Sequence, residues 1–202
     1  MKTTIIIPTL NEVDGVRAVL PKINKNWIDE IIIVDGGSKD GTIEYCRQNN
    51  YFVHIQKSKG YGMAILEGIR LAKGDIIVEF TPDGNSLPEK IPELISKIQE
   101  GYDLVVASRY RDDAVSYDDN FLTKIGNWFF TKIVNFLFRS SYTDVLVGFR
   151  ACKKNSLETL NMDEPGLSWV VQSSIRFVKH GLKIGEIPAD ERMLIVTDAV
   201  DN

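Results

Sequence analysis

Short apolar runs rich in isoleucine and valine alternate with helix-length segments from residue 3 to residue 108. Residues 3–8 (TTIIIP), Glu30–Asp35 (EIIIVD), 52–56 (FVHIQ), 75–81 (DIIVEFT) and 102–108 (YDLVVAS) have the length and β-branched content of strands. Between them, residues 11–23, 39–49, 62–72 and 88–99 read as helices, the last with prolines in its first turn. Runs that are apolar at consecutive positions, such as EIIIVD, suit strands covered on both faces. This rhythm predicts a single-domain α/β fold, a mostly parallel central sheet flanked by helices with right-handed crossovers.

The second half changes character. Residues 111–120 (RDDAVSYDDN) are acidic and poor in apolar anchors, the composition of a mobile loop. Residues 121–140 then form a helix with a wide apolar face carrying Trp128, Phe129, Phe130, Phe136 and Phe138. Lys124, Asn127, Thr131, Asn135 and Arg139 make a narrow polar stripe at helical spacing. Three readings of that helix stay open: burial in the core, a homodimer contact, or a peripheral membrane contact through 121–139. In the last of these, Lys124, Lys132 and Arg139 lie near lipid headgroups. Residues 144–152 read as a strand or extended turn, 168–180 as a helix and 182–188 as a final strand.

Composition narrows the function classes. The 202 residues, 44% hydrophobic and 26% charged, are enough for one domain with a sizeable core. A net charge of -4 argues against nucleic acid as a partner, since phosphate backbones reward concentrated Lys and Arg. Cys46 and Cys152 lack C-x-x-C spacing and read as free thiols. The apolar stretch at the N-terminus is too short for a signal peptide, and no run approaches the ~20 residues of a membrane span. The expectation is a cytoplasmic protein, at most peripheral at the inner face of the membrane.

Candidate chemistry gathers at the predicted strand ends, where open α/β sheets bind ligands. Asp83 and Asn85 flank Gly84 after the fourth strand. Carboxylate and amide oxygens suit Mg²⁺ or Mn²⁺, and the glycine lets a diphosphate approach the backbone; an ordinary turn is the alternative. Pro8, Thr9, Asn11 and Glu12 end the first strand, and Asp35 and Gly36 end the second. Either Asn11 caps a helix and Asp35-Gly36 makes a turn, or together they line a nucleotide pocket, with the Asp35 carboxylate bonded to the nucleoside. Lys59 and Gly60 open a helix whose N-terminal amides suit phosphate, although no Walker G-K-[ST] is present. Arg109 follows the fifth strand, placed either to reach a phosphate or to pair with Asp112 or Asp113. Gln172 and Arg176 share a helix face, and a neutral amide can position a substrate but not act as a base.

Taken together, IIIPTLNE (5–12), EIIIVDGGSKDGT (30–42), KGYGMAILEGIRLAKGDIIVEFTPDGN (59–85), ASRY (107–110), TDVLVGFRACKK (143–154) and HGLKIGEIPAD (180–190) run nearly the length of the chain. In that order they resemble the inverting family 2 glycosyltransferases with the GT-A (Rossmann-like) fold, above all the dolichyl-/polyprenyl-phosphate sugar synthase branch. The resemblance implies a nucleotide-binding half (1–110) and an acceptor-side half (111–202). It implies a nucleotide-diphosphate sugar as donor, with Thr9, Glu12 and Asp35 near the nucleoside. Asp83 and Asn85 fall at the D-x-D metal motif, Arg109 where the family handles phosphate, and a lipid phosphate is the implied acceptor. The departures are Gly36 in place of a second aspartate, Asn85 in place of a metal-binding aspartate, Gln172 where many relatives carry glutamate, and no basic glycine-containing stretch after Pro188.

The expected reaction is an in-line displacement at the anomeric carbon, inverting its configuration. The cation held by Asp83 and Asn85 stabilises the departing diphosphate, aided by Arg109, while Gln172 orients substrate and the 111–120 loop excludes water. The competing reading is a catalytically degenerate nucleotide-sugar-binding protein. A nucleotidyltransferase ranks last, because TLNEVDG stands where that class has a basic glycine-rich loop.

Overall fold

The isoleucine runs become the centre of a seven-stranded sheet ordered β3-β2-β1-β4-β6-β5-β7. In the computed structural model, which describes residues 1–117 and 119–192, the strands are β1 (Thr3–Thr9), β2 (Glu30–Asp35), β3 (Phe52–Ile55), β4 (Ile76–Glu79), β5 (Leu104–Ser108), β6 (Arg150–Lys153) and β7 (Ile184–Pro188). Pairings among the described residues are parallel except those of β6, which runs antiparallel between β4 and β5. Among the described residues the α-helices are α1 (Val13–Val19), α2 (Thr42–Gln48), α3 (Tyr61–Leu71), α4 (Ile91–Gln99), α5 (Phe121–Phe138), α6 (Lys154–Glu158) and α7 (Trp169–Lys179).

Alternation along the strands divides the core between two faces. Ile5, Ile7, Ile33, Val78 and Val105 pack with Val16 and Val19 of α1 and Leu94 and Ile98 of α4. Ile6, Ile32, Ile77 and Val106 pack with Ala64 and Ile65 of α3 and Trp169 and Phe177 of α7. Burial on both sides is why these strands read as continuous apolar runs. The helix expected over 11–23 ends early: from Leu20 to Lys22 it tightens to a 3₁₀ turn, because Pro21 has no N–H to continue the α-helical ladder. Both cysteines are free and buried.

Helix α5 reverses the usual arrangement. The middle of its polar stripe faces the body, with Asn127 and Thr131 buried beside Val134 and Asn135 half-buried, while Lys124 and Arg139 at its ends are exposed. Asn127 donates to Asp144 (3.1 Å), Asn135 donates to the Tyr142 carbonyl (2.8 Å), and Thr131 accepts from the Val145 amide (3.4 Å). Its aromatic face points outward, with Phe121, Trp128, Phe129 and Phe136 exposed. Val134 and Phe138 join the core, whereas Phe121, Trp128, Phe129 and Phe136 lie outside it, so core burial holds only for the inner side of this helix. The 111–120 loop is tied down at several points: Val115 donates to the Asp190 carboxylate (2.9 Å), Tyr117 to the Glu191 carbonyl (3.0 Å), and Glu191 back to Val115 (3.0 Å). Ser116 and Glu191 form a parallel bridge there.

Candidate active site

The C-terminal ends of β1, β2 and β4 enclose a cleft of about 500 Å³. Pro8, Thr9, Leu10 and Glu12 supply one wall, Gly36 the floor beside it, and Thr81, Pro82 and Asp83 the opposite wall. Gln56, Lys59 and Gly60, with Tyr61 and Ala64 of α3, close the third side. This is the position at which parallel α/β sheets present strand-end backbone and side chains to ligands.

Asp35 lies beneath the cleft and is fully buried. One carboxylate oxygen accepts from the Gly37 (2.8 Å) and Ser38 (2.7 Å) amides. The other accepts from the hydroxyls of Thr9 (2.7 Å) and Ser38 (2.7 Å). Two oxygens carrying four hydrogen bonds have their acceptor capacity filled. Through these bonds Asp35 fixes the shape of the β1 and β2 tips. Asn11 is likewise structural. Its backbone sits at φ 55, its amide donates to the Ser38 hydroxyl (2.8 Å), and its side-chain oxygen accepts from the Lys39 amide (2.9 Å). It stitches the two loops together and caps no helix.

The glycine-rich turn before α3 also docks a neighbouring segment of backbone. The Gly62 (2.9 Å) and Met63 (3.4 Å) amides both donate to the Pro165 carbonyl, so those helix N-terminal donors are taken. A methyl group on Gly60 would lie 2.2 Å from that carbonyl oxygen, and one on Gly62 would lie 2.0 Å from the Glu164 oxygen. The glycines admit a neighbouring backbone, while Lys59 and Gly60 also line the cleft. Gln172 belongs to this arrangement. Its side-chain oxygen accepts from the Asp163 (3.2 Å) and Glu164 (3.1 Å) amides, and its NH₂ donates to Asp163 (2.6 Å). Arg176, on the same helix face, grips Asp163 (2.7 Å) and the Leu160 carbonyl (2.7 Å). Gln172 thus positions a loop behind the cleft wall instead of a substrate.

Asp83 faces the cleft, and its carboxylate accepts from the Asn85 amide (3.0 Å) across Gly84 at φ 89. Glu12 stands near it: burial, then the neighbouring charges of Asp83 and Asp40, raise its carboxyl above the usual range. The mouth of the cleft is therefore electronegative. Asn85 borders a small hollow with Arg109 and Glu191, and its amide lies 3.5 Å from Glu191. Among the described residues, no group of three or more His, Cys, Asp or Glu side chains is gathered as a metal cage. The donors on this turn, a carboxylate and an amide oxygen, are hard ligands. The Asp83 carboxylate on the cleft wall suits a magnesium- or manganese-type ion that takes most of its coordination from water and substrate phosphate, while Asn85 borders the adjoining hollow.

Arg109 is held by carboxylates. Its Nε and Nη2 clamp Asp144 at 2.7 and 3.1 Å, while Nη1 reaches Glu191 at 3.3 Å and Asp119 at 3.6 Å. These partners outweigh burial and keep the guanidinium firmly charged. The partners are not Asp112 or Asp113; Arg111 takes Asp112 instead. Below the cleft, Glu79 is buried opposite Arg150 and accepts from the Trp169 indole (3.1 Å).

Residues 4–160 match the glycosyl transferase family 2 domain. The chain belongs to glycosyl transferase family 2. This family 2 chain is 24% identical over 185 residues to glycosyltransferase AglJ of Haloferax volcanii, covering 91% of the chain and 61% of AglJ. It is 26% identical over 201 residues to the undecaprenyl-phosphate mannosyltransferase of Micrococcus luteus, covering 93% and 82%. Its fold matches the crystal structure of glucosyl-3-phosphoglycerate synthase from Mycobacterium tuberculosis in complex with Mn²⁺, uridine diphosphate and glucosyl-3-phosphoglycerate. There the TM-score is 0.74 at 20% identity, with 97% of this chain and 72% of that one covered. The GT-A architecture expected from the sequence is the architecture found.

In this family 2 chain, Pro8, Thr9, Glu12, Gly36, Lys59, Gly60 and Asp83 converge on one cleft. Asn11, Asp35 and Gln172 sit behind it, and Arg109 and Asn85 share the adjoining hollow. Sequence reasoning missed Gln56, Tyr61, Ala64, Thr81 and Pro82. Thr81 and Pro82 lie within two residues of Asp83, Gln56 directly follows β3, and Tyr61 and Ala64 lie in the first turn of α3, so strand ends and that helix start were the available signal. Glu191, 82 residues from Arg109 along the chain, left no such signal.

Proposed function

We propose that this glycosyltransferase moves a sugar from a nucleotide-diphosphate donor to a polyprenyl phosphate, inverting the anomeric centre. The observation that carries the proposal is the strand-end cleft with Asp83 on its wall and Arg109 one hollow away. The names of the polyprenyl-phosphate mannosyltransferase relatives support the acceptor class. A Mg²⁺ or Mn²⁺ ion held by Asp83, with the Asn85 oxygen on the same turn, would neutralise charge on the departing diphosphate.

The chain's own groups bind and orient. Pro8, Thr9 and Gly36 shape the nucleoside end of the cleft, and Lys59 brings a cation to its rim. Arg109 keeps its short contacts to Asp144, whereas its contacts to Glu191 and Asp119 through Nη1 are longer. An acceptor phosphate therefore exchanges with Glu191 at Nη1 while Asp144 holds the arginine in place. Burial raises the carboxyl of Glu191, which eases its release from the arginine. A phosphate acceptor is already anionic and needs orientation more than a base, which agrees with Gln172 lying away from the cleft.

The test is transfer from UDP-, GDP-, CDP- and dTDP-sugars to a polyprenyl phosphate, with and without Mn²⁺, in wild type and Asp83→Ala. The variant should unfold at the wild-type temperature and lose metal-stimulated transfer; retained transfer removes Asp83 from the mechanism. A second reading, a nucleotide-sugar binder without turnover, is favoured by the three carboxylates around Arg109. Donor binding with neither transfer nor hydrolysis would select it.

A further inference from the structure

The exposed side of α5 goes beyond the transfer reaction. We propose that it is a docking face for a bilayer containing anionic phospholipid. Leu122, Ile125, Phe129, Ile133 and Phe136 follow one another at spacings of three and four residues, the pattern of a single helix face. They are 78%, 46%, 60%, 38% and 85% exposed. The helix cannot roll to hide them without breaking the Asn127–Asp144, Thr131–Val145 and Asn135–Tyr142 bonds on its other side.

Charge selects the occupant. Residues 121–140 contain Lys124, Lys132 and Arg139 and no acidic residue. At the C-terminal end of the helix, Arg139, Ser140 and Ser141 border a hollow of about 320 Å³ with Arg111, whose charge Asp112 and Glu186 already meet, so Lys132 and Arg139 supply the unpaired positive charge beside the apolar face. A basic rim beside an apolar face matches the headgroup and acyl layers of an anionic membrane. A second copy packed on this face would instead bring Lys132 and Arg139 toward the same two cations, with no acid on either helix to pair them. Among the described residues, no helix is long and apolar enough to cross a membrane, so α5 lies in the interface plane. Asn127 bonds Asp144, which clamps Arg109, so the docked helix is one hydrogen bond removed from the residue that holds the site's arginine.

The test mixes the full chain with vesicles of phosphatidylcholine, alone or with phosphatidylglycerol, and reads cosedimentation and Trp128 emission. Wild type should sediment with the mixed vesicles, release as salt rises, and shift its emission to the blue; Trp128→Phe should lose most of that shift. Phe129→Ser with Phe136→Ser, both solvent-facing, should keep the wild-type unfolding temperature and bind at least about tenfold more weakly. Arg139→Gln should weaken binding about fivefold. Absence of sedimentation with either vesicle at low salt overturns the proposal. So does a dimer in sedimentation velocity that the double serine variant splits. Because no donor or acceptor enters this assay, it stands or fails separately from the transfer reaction.

Discussion

Replacing Asp35 distinguishes a scaffold from a ligand. The carboxylate collects two backbone amides on one oxygen and two hydroxyls on the other. In Asp35→Asn the remaining oxygen can keep the Gly37 and Ser38 amides, which cannot turn away. The Thr9 and Ser38 hydroxyls can rotate to accept from the new NH₂. The loss is then mainly the charge assistance, about 1–2 kcal/mol. Asp35→Ala strands all four donors. Gly37 is exposed and finds water, but the Ser38 amide and the two hydroxyls lie in buried residues. At about 1–3 kcal/mol for each buried donor left unmade, and allowing for hydroxyls that find new acceptors, the cost is about 3–5 kcal/mol. With a urea slope of about 2 kcal/mol/M, that is a midpoint lower by about 2 M. The assay pairs urea unfolding with the donor KM. Asp35→Asn should unfold slightly early and keep a near-wild-type KM. A large rise in KM at unchanged stability would show that Asp35 touches the nucleoside and would refute the scaffold argument.

Two further tests concern the cleft wall and the layer beneath it. Gly62→Ala places a methyl group 2.0 Å from the Glu164 oxygen, whereas one on Gly37 meets nothing within 4 Å. The first should cost about 2–3 kcal/mol by overpacking and the second about 1 kcal/mol from its left-handed backbone alone; equal costs in denaturant melts would contradict the docked-carbonyl account. Burial pushes Glu79 up to about 7, against the opposing pull of Arg150 and the Trp169 N–H. The folded state therefore holds a proton that the unfolded chain has released. The stabilisation this lends is whole below the ordinary value of 4.5 and lost as pH rises through 7. Between pH 5 and pH 8, wild type should lose about 3 kcal/mol more than Glu79→Gln. Parallel urea midpoints for the two proteins across that range would overturn the assignment.

The strands were legible because burial on both faces leaves a plain mark, an unbroken β-branched run such as Ile5–Ile6–Ile7. The direction of β6 was not. It is four residues, RACK, with a fully buried arginine whose partners come from α7 and the preceding turn. Periodicity showed that α5 is two-faced, but which face turns inward depends on Asp144, Tyr142 and Val145, which the helix meets only in three dimensions. At the site, the rule that ligands gather at strand ends found most of the cleft. It could not separate side chains that face the cleft from those that build it. Asp35, Asn11 and Gln172 have the right chemistry for binding, and their groups are already engaged by backbone amides nearby. The turn glycines signalled a close approach, and only the fold shows that the Glu164–Pro165 backbone makes it.

The insertion of β6 between β4 and β5 sets an order of assembly. Strands β1 to β4 can pair as soon as they leave the ribosome, but β5 has no seat in the sheet until β6 has been made. From the end of β4 at Glu79 to the end of β6 at Lys153, synthesis at 5–20 residues per second takes roughly 4–15 s. Throughout that interval the nascent chain carries Ile76, Ile77 and Val78 on an open, sticky border. Chaperone demand during translation should concentrate in this window.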